Sequence, residues 1–443
     1  MSDHTRAVRL AATALDFDLA PEERAELELH RRDCVRCRQI DDAFRADAAA
    51  LRRLPRRDAP SHLRLTVADA AWRKEEPHRS RTGLVLLVAA VLMLAMAIGG
   101  GIAAGQWLQR DDGATSAAPT LGPLSDLPLA EGPVSLLVDT DVAPDDLVAI
   151  AFLVAAPDVS IRAISVSGTG EVRCEAGVRI VLGLLDRLEA PQIPVACGRE
   201  EPLALGHAFP DAFRENAERA AGLDLPISRR QVAPGSAVEL IMSSVRDPEG
   251  QLRILTLGPL TNLAEAFEED ATLAAAVEAV YVMGGAVDVP GNVAGSPDAP
   301  SDNTAAEWNI YADPTAAQIV LDAGAQVFLV SLDGTSQVPV TPAFVDRVRS
   351  DATGSGLKVL AELFAKNSYM IGGDYYLWDS LAAIAAADYP IGEFTSVHLT
   401  VDETDGLMSG AMHRTDGAPN ANYLSAIDAS LVESLMISIL NAD

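Results

Sequence analysis

Basic residues are scarce through most of this chain. Of the 34 Lys and Arg in 443 residues, 17 lie before residue 83, which leaves 17 against 48 Asp and Glu in the remainder. That surplus of negative charge excludes a nucleic-acid backbone as direct partner of the larger part, since phosphate binding needs the opposite sign. Histidine is scarcer still: after residue 83 it occurs only as His207, His398 and His413. Cysteine is limited to Cys34 and Cys37 near the start and Cys174 and Cys197 further on. The spacing of the second pair fixes no geometry and decides neither for nor against a disulfide. The length is too great for one ordinary core, so two or more folded units are expected.

Charge is missing altogether from the 28 positions between Arg81 and Arg110, and 83–104 is almost wholly apolar. Roughly 20 such residues span a bilayer. The run starts too far from the N-terminus for a removable signal peptide, so it is expected to be a single transmembrane helix, 83–106. Arg73, Lys74, Arg79 and Arg81 precede it, whereas Arg110 is followed at once by Asp111 and Asp112. The positive-inside rule then puts the N-terminus in the cytoplasm and the acidic C-terminal part outside the cell membrane. Residues 56–82 form a juxtamembrane segment, and 107–132, rich in Gly, Ala, Ser, Thr and Pro, a flexible linker.

What the chain does have is carboxylate in one place. Asp139, Asp141, Asp145 and Asp146 fall within eight residues, directly after the strand-like run Val134–Val138. Crowded like charges call for a cation, and without His or Cys nearby a hard, oxygen-liganded ion such as Ca²⁺ suits them. A solvated loop that caps the following helix is the competing reading. Further aliphatic runs at Ile161–Val166, Ile193–Ala196, Leu252–Leu257, Ala279–Met283 and Gln326–Val330 alternate with helical patterns. The fold class expected over 133–443 is α/β, a mainly parallel, Rossmann-like sheet with helices on both faces. Ligands bind beyond the C-terminal strand ends in such sheets, where these motifs fall.

The run Asp139-Thr140-Asp141-Val142-Ala143-Pro144-Asp145-Asp146 resembles the Asp-x-Asp-Pro-Gly-x-Asp-Asp signature of the inosine-uridine nucleoside hydrolase family. Leu257-Gly258-Pro259-Leu260-Thr261-Asn262, Met283-Gly284-Gly285 with Gly291-Asn292, Glu307-Trp308-Asn309 with Asp313-Pro314, and Trp378-Asp379-Ser380 follow in the family's order. The resemblance implies a hydrolase of the N-glycosidic bond of ribonucleosides that uses Ca²⁺. It implies Asp141 as general base and calcium ligand, with Asp146, Asp379 and the Leu257 carbonyl as further ligands. Asp145 and Asp139 would bind ribose or brace the loop, and Thr169, Met283, Asn292, Glu307, Asn309 and Trp378 would line the nucleoside. The family's tendency to oligomerise implies a homo-oligomer.

Three departures stand against the signature. Its Pro-Gly is Val142-Ala143, with a proline one position later. Its Gly-Asn after the second strand is Gly168-Thr169, a hydroxyl in place of an amide. The His before the C-terminal Asp in protozoan members, a proposed proton donor to the departing base, is Trp378, which cannot serve as an imidazolium does. A donor would then be His207, Tyr375, Tyr376 or water.

In residues 1–55 the spacing His4-x25-His30-x3-Cys34-x2-Cys37 resembles the zinc-binding anti-sigma domain, a small helical module that holds a sigma factor away from RNA polymerase. It implies Zn²⁺ on those four side chains and a sigma factor as partner. A redox CxxC or two incidental thiols is the competing reading. The whole chain then reads either as a membrane-tethered hydrolase fused to that module, or as a transmembrane regulator whose outer domain senses a ribosyl ligand without efficient turnover.

Overall fold

The computed structural model describes residues 133–247, 251–294, 301–372 and 375–442, together with Arg24, Leu27, His30 and Arg32. Those four are helical, and Leu27 is buried. His4, Cys34, Cys37 and the 83–106 segment lie outside the described residues, so the zinc module and the membrane span expected there are not described. Among the described residues no helix is long and apolar enough to cross a membrane. The chain divides into two units, Met1–Gly113 and Ala114–Asp443, and the second carries the fold set out below.

Among the described residues there are ten strands: β1 Val134–Thr140, β2 Val159–Val166, β3 Val195–Cys197, β4 Arg253–Thr256, β5 Ala279–Met283, β6 Val327–Val330, β7 Gly392–Val397, β8 Leu399–Val401, β9 Met412–Arg414 and β10 Ala421–Ile427. Eight form one sheet in the order β3-β2-β1-β4-β5-β6-β10-β7, parallel except where β7 runs against β10; β8 and β9 pair separately. The six aliphatic runs of the sequence are β1 to β6, and the α/β parallel sheet is as expected.

Side chains alternate across β1, so the two faces bury different partners. Leu136 and Val138 pack with Leu147, Ile150, Leu381 and Ile384, whereas Leu137 packs with Ile241, Leu263 and Phe267. Beyond its first turn the helix Pro144–Ala155 is apolar all round, and the helices Ser355–Lys366, Trp378–Ala386 and Ala429–Leu440 pack against it.

β1 lies between β2 and β4, the point where the strand order reverses and a crevice opens beyond the strand ends. Asp139 stands in register with Ser165 on one side and Thr256 on the other. The chain leaves β1 and enters the Pro144–Ala155 helix within four residues, so the acidic run is held at the mouth of that crevice.

Candidate active site

Pro144 opens its helix at the first position, where a missing N–H costs nothing, and Asp145 and Asp146 occupy the first turn, where the helix dipole favours anions. The left-handed backbone needed to turn the chain falls on Val142, at φ 59°, while Ala143 is extended. The strained position is therefore not the alanine that stands for the signature's glycine but the residue before it, a β-branched and fully buried side chain. Asp146 Oδ1 accepts from the Val142 N–H at 3.3 Å and from the Thr140 hydroxyl, which locks the turn.

Asp139 is turned into the sheet. Its Oδ1 accepts from Ser165 Oγ at 2.5 Å and Asn262 Nδ2 at 2.8 Å, which makes it the brace of the loop. Asp141 is cradled by two glycines: a Cβ on Gly170 would fall 2.1 Å from its Oδ2, and one on Gly258 would fall 2.7 Å from its Cβ. The backbone N–H of Glu171 donates to the same Oδ2 at 3.1 Å.

Carboxylate oxygens of Asp145, Asp146 and Asp379 lie within 4.8 Å of one another. Asp146 Oδ2 is buried with no hydrogen-bond partner. Burial, followed by the charge of Asp146, pushes Asp145 up to about 7 and raises Asp141 well above the carboxylate range. Burial and the charges of Asp145 and Asp146 raise Asp379 likewise. Glu171 is pushed up to about 8 by burial and then by Asp145 and Asp146. Acceptor-only groups that resist ionising together, one with an orphaned oxygen, fit a hard divalent cation. The grouped set is Asp145, Asp146 and Asp379; Asp141, expected as a ligand, lines the same cavity.

The cavity measures about 760 Å³. Of the expected site residues it brings together Asp141, Asp145, Asp146, Leu257, Met283, Asn292, Glu307, Asn309, Trp378 and Asp379. Glu307 caps the Trp308–Ala312 helix, accepting from the N–H groups of Asn309 at 2.9 Å, Ile310 at 3.2 Å and Gly285 at 3.0 Å. Asn309 donates from Nδ2 to the carbonyls of Leu257 at 2.9 Å and Met283 at 3.1 Å, tying the ends of β4 and β5. Asn292 accepts the Trp308 N–H at 3.1 Å.

Thr169 is the exception. It is buried and does not line the cavity; its hydroxyl lies in a relay with Ser167 at 2.9 Å and Thr261 at 3.1 Å, which ends on Asp313. Its hydroxyl is thus spent on buried partners. Glu171, two residues on, lines the cavity instead. Of the expected proton donors only Tyr375 lines the cavity, and its hydroxyl donates to Asp145 Oδ1 at 3.3 Å. His207 stacks on Tyr311 at 4.2 Å, with Nδ1 2.7 Å from the Tyr311 carbonyl. Tyr376 lies against Trp378, with ring centres 5.6 Å apart, but does not line the cavity.

Phe209, Phe213, Asn216 and Tyr369 also line the cavity. They come from connecting segments and short helices that carry no motif, so nothing in the sequence marks them. Cys174 and Cys197, left open by the sequence, form a disulfide with Cα atoms 5.6 Å apart. It joins the start of the Cys174–Arg187 helix to the end of β3.

A doubly wound sheet with a cation-ready carboxylate cluster and a cavity at its reversal point defines an α/β protein with a small-ligand site beyond its strand ends. The model of the inosine-uridine preferring nucleoside hydrolases matches residues 136–434, and the chain belongs to that family. It is 34 % identical over 206 residues to uridine nucleosidase 1 of Arabidopsis thaliana, a match over 46 % of this chain and 58 % of that protein. It is 34 % identical over 232 residues to the pyrimidine-specific ribonucleoside hydrolase RihA of Salmonella agona, over 52 % of this chain and 69 % of that one. The chain thus spans less than two thirds of the length of the plant relative. A solved plant nucleoside hydrolase superposes with a TM-score of 0.61 at 28 % identity, covering 70 % of this chain and 100 % of that chain.

Proposed function

We propose that residues 133–443 form a calcium-dependent ribonucleoside hydrolase that cleaves the N-glycosidic bond to release base and ribose. The observation that carries this is the convergence of Asp145, Asp146 and Asp379 within 4.8 Å at the strand ends, with Asp141 lining the same cavity. Asp145, Asp146 and Asp379 would hold the ion together with Asp141 and the Leu257 carbonyl. A calcium ion there supplies a fixed charge that grips vicinal hydroxyls and acidifies a water molecule.

Asp141, fixed by Gly170, Gly258 and the Glu171 N–H, takes the proton from the attacking water. Glu307, Asn309 and Asn292, rigid through their backbone hydrogen bonds, hold the ribose edge. Burial keeps bulk water from the cationic sugar that forms as the bond breaks.

The domain acts outside the cytoplasm, tethered by the 83–106 helix, with the zinc-binding module and a sigma factor partner inside. The Cys174–Cys197 disulfide supports this placement, because such bonds persist in oxidising compartments.

The test is ribose release by the full-length chain in detergent, from purine and pyrimidine nucleosides, with Ca²⁺ and with a chelator. Turnover that the chelator abolishes is expected. Calcium-dependent binding of nucleosides without any turnover would replace the hydrolase with a sensor.

A further inference from the structure

The Cys174–Cys197 disulfide stands beside the acidic site without lining its cavity, and it joins the two stretches that fix Asp141 and Asp139. The first stretch ends at Cys174. Within it Gly170 lies against Asp141, and the Glu171 N–H donates to Asp141 Oδ2 at 3.1 Å. The second stretch leaves Cys197 through Gly198, whose N–H donates to the Val166 carbonyl at 3.0 Å. A Cβ on Gly198 would overlap Asn262 Oδ1, and the Nδ2 of that amide donates to Asp139 Oδ1 at 2.8 Å. The stretches meet at Gly168, where a Cβ would fall 2.8 Å from the Arg199 carbonyl oxygen and 3.3 Å from Cys174 Sγ.

The 167–174 loop is well held at its start and middle. The Ser167 N–H donates to the Thr140 carbonyl at 2.8 Å, and Arg214, buried on the Asp211–Ala217 helix, donates to the Thr169 carbonyl at 3.1 Å. At its far end Glu200 accepts the Cys174 N–H at 2.8 Å, and Glu218 accepts from Arg173 Nη1 at 2.8 Å. Both contacts are exposed, where water competes and such pairs hold loosely. The covalent link is therefore the firm tie at that end, three residues from the Glu171 N–H. It can also be reached: Cys174 and Cys197 are partly exposed and line a surface groove of about 600 Å³ with Val178, Ile227 and Val232.

We propose that Cys174 and Cys197 are a redox-controlled positioning pair for Asp141: the oxidised pair holds the site in its working geometry, and a dithiol that enters the groove slackens it. This rests on the hydrolase reading and names the regulation of its site. Reduction takes two electrons from the dithiol. One of its thiols loses a proton and attacks a sulfur of the pair, the S–S bond breaks, and the departing protein sulfur takes up a proton. The second thiol then displaces the other protein sulfur in the same way, so that two protein thiols form and the dithiol becomes a disulfide. With the tie gone, the 168–173 turn shifts on Asp141 and proton abstraction from water slows, while Glu307, Asn309 and Asn292 still hold the ribose. Under the proposed placement, the site is slack in the thiol-rich compartment where the chain is made and set once outside.

The test compares the full-length chain in detergent, oxidised and after dithiothreitol, at saturating Ca²⁺ and below the melting temperature of the reduced form, with uridine and inosine as substrates. Alkylation and peptide mass count the free thiols at Cys174 and Cys197. Reduction is expected to lower kcat on the order of tenfold with KM within about twofold, and reoxidation by glutathione disulfide to restore it. Cys174→Ser combined with Cys197→Ser is expected to show the low kcat from the start and to respond to neither reagent, which sets aside effects at Cys34 and Cys37. If that variant does not fold, the reduced and reoxidised wild type carry the comparison. The Kd for Ca²⁺, by calorimetry on the same samples, is expected to rise several-fold on reduction, because Asp141 is one of the proposed ligands.

An unchanged kcat in the reduced, still folded chain would overturn the coupling and leave a bond that only stabilises, with the hydrolase standing. A fall that reoxidation does not reverse, or the same response in the double variant, would overturn it equally. No turnover in either state would overturn the hydrolase, and the calcium Kd would then decide the coupling: a several-fold rise on reduction supports it, and equal values end it.

Discussion

Two bare α-carbons set the position of Asp141, the proposed general base. Gly170 and Gly258 approach Asp141 so closely that a methyl group on either would occupy its space. Gly170→Ala is therefore expected to push the Asp141 carboxylate aside and lower kcat on the order of 10²-fold with the melting temperature nearly unchanged, since about 1 Å of misplacement costs that much. Steady-state kinetics beside a thermal melt checks it, and a variant with full kcat would detach Asp141 from the chemistry. Asp141→Ala removes the base outright and should lower kcat at least about 10³-fold. The Val142 turn contributes differently. Left-handed strain at a β-branched residue costs about 1–3 kcal/mol, which full burial of a valine, about 1.5–3 kcal/mol, offsets. That balance explains how the loop keeps its shape without the signature's Pro-Gly.

Asp313 shows how the elements around the site are joined. It caps the Pro314–Asp322 helix through the Ala316 N–H and also accepts from the Leu203 N–H and the Thr261 hydroxyl, all from full burial. Asp313→Ala strands these donors and should destabilise the domain by about 3 kcal/mol, measurable by denaturant unfolding. A loss under about 1 kcal/mol would mean the relay through Thr261 and Thr169 is not holding the strand ends together. That relay is also where the sequence misleads. A threonine hydroxyl serves core or cavity equally well, and the choice depends on Thr261, 92 residues away. β1 to β6 could be read because strands covered on both faces are written as unbroken aliphatic runs. β7 and β10 could not, since β7 is a largely exposed antiparallel edge with no such run. The carboxylate floor was legible as a motif, whereas the aromatic walls come from segments whose only common property is the cavity they meet in.

Over the whole molecule the unequal distribution of charge and the disulfide point the same way. A net charge of -29 with most of the acid beyond residue 83 suits the proposed placement of that part in solvent, at a distance from an anionic membrane surface. The Cys174–Cys197 bond closes a loop over a sequence separation of 23 and should contribute about 3 kcal/mol through the unfolded chain. A reductant is then expected to lower the melting temperature by several degrees, and an unchanged melt would mean that the bond does not form in the protein as made. Calcium should act on the same scale through the site. An ion that binds only the folded state adds about 2.7 kcal/mol at a hundredfold excess over its dissociation constant. Melts with Ca²⁺ and with a chelator should therefore differ by several degrees, and Asp379→Asn, which removes a converging charge, should abolish most of that difference. Coincident melts would remove calcium from the site. The proposed topology then joins these effects to place. In cells that express the full chain, protease added from outside should degrade the acidic domain and spare a tag on the N-terminus. Protection of both ends would put the domain in the cytoplasm, where the disulfide would be reduced and its share of the stability lost.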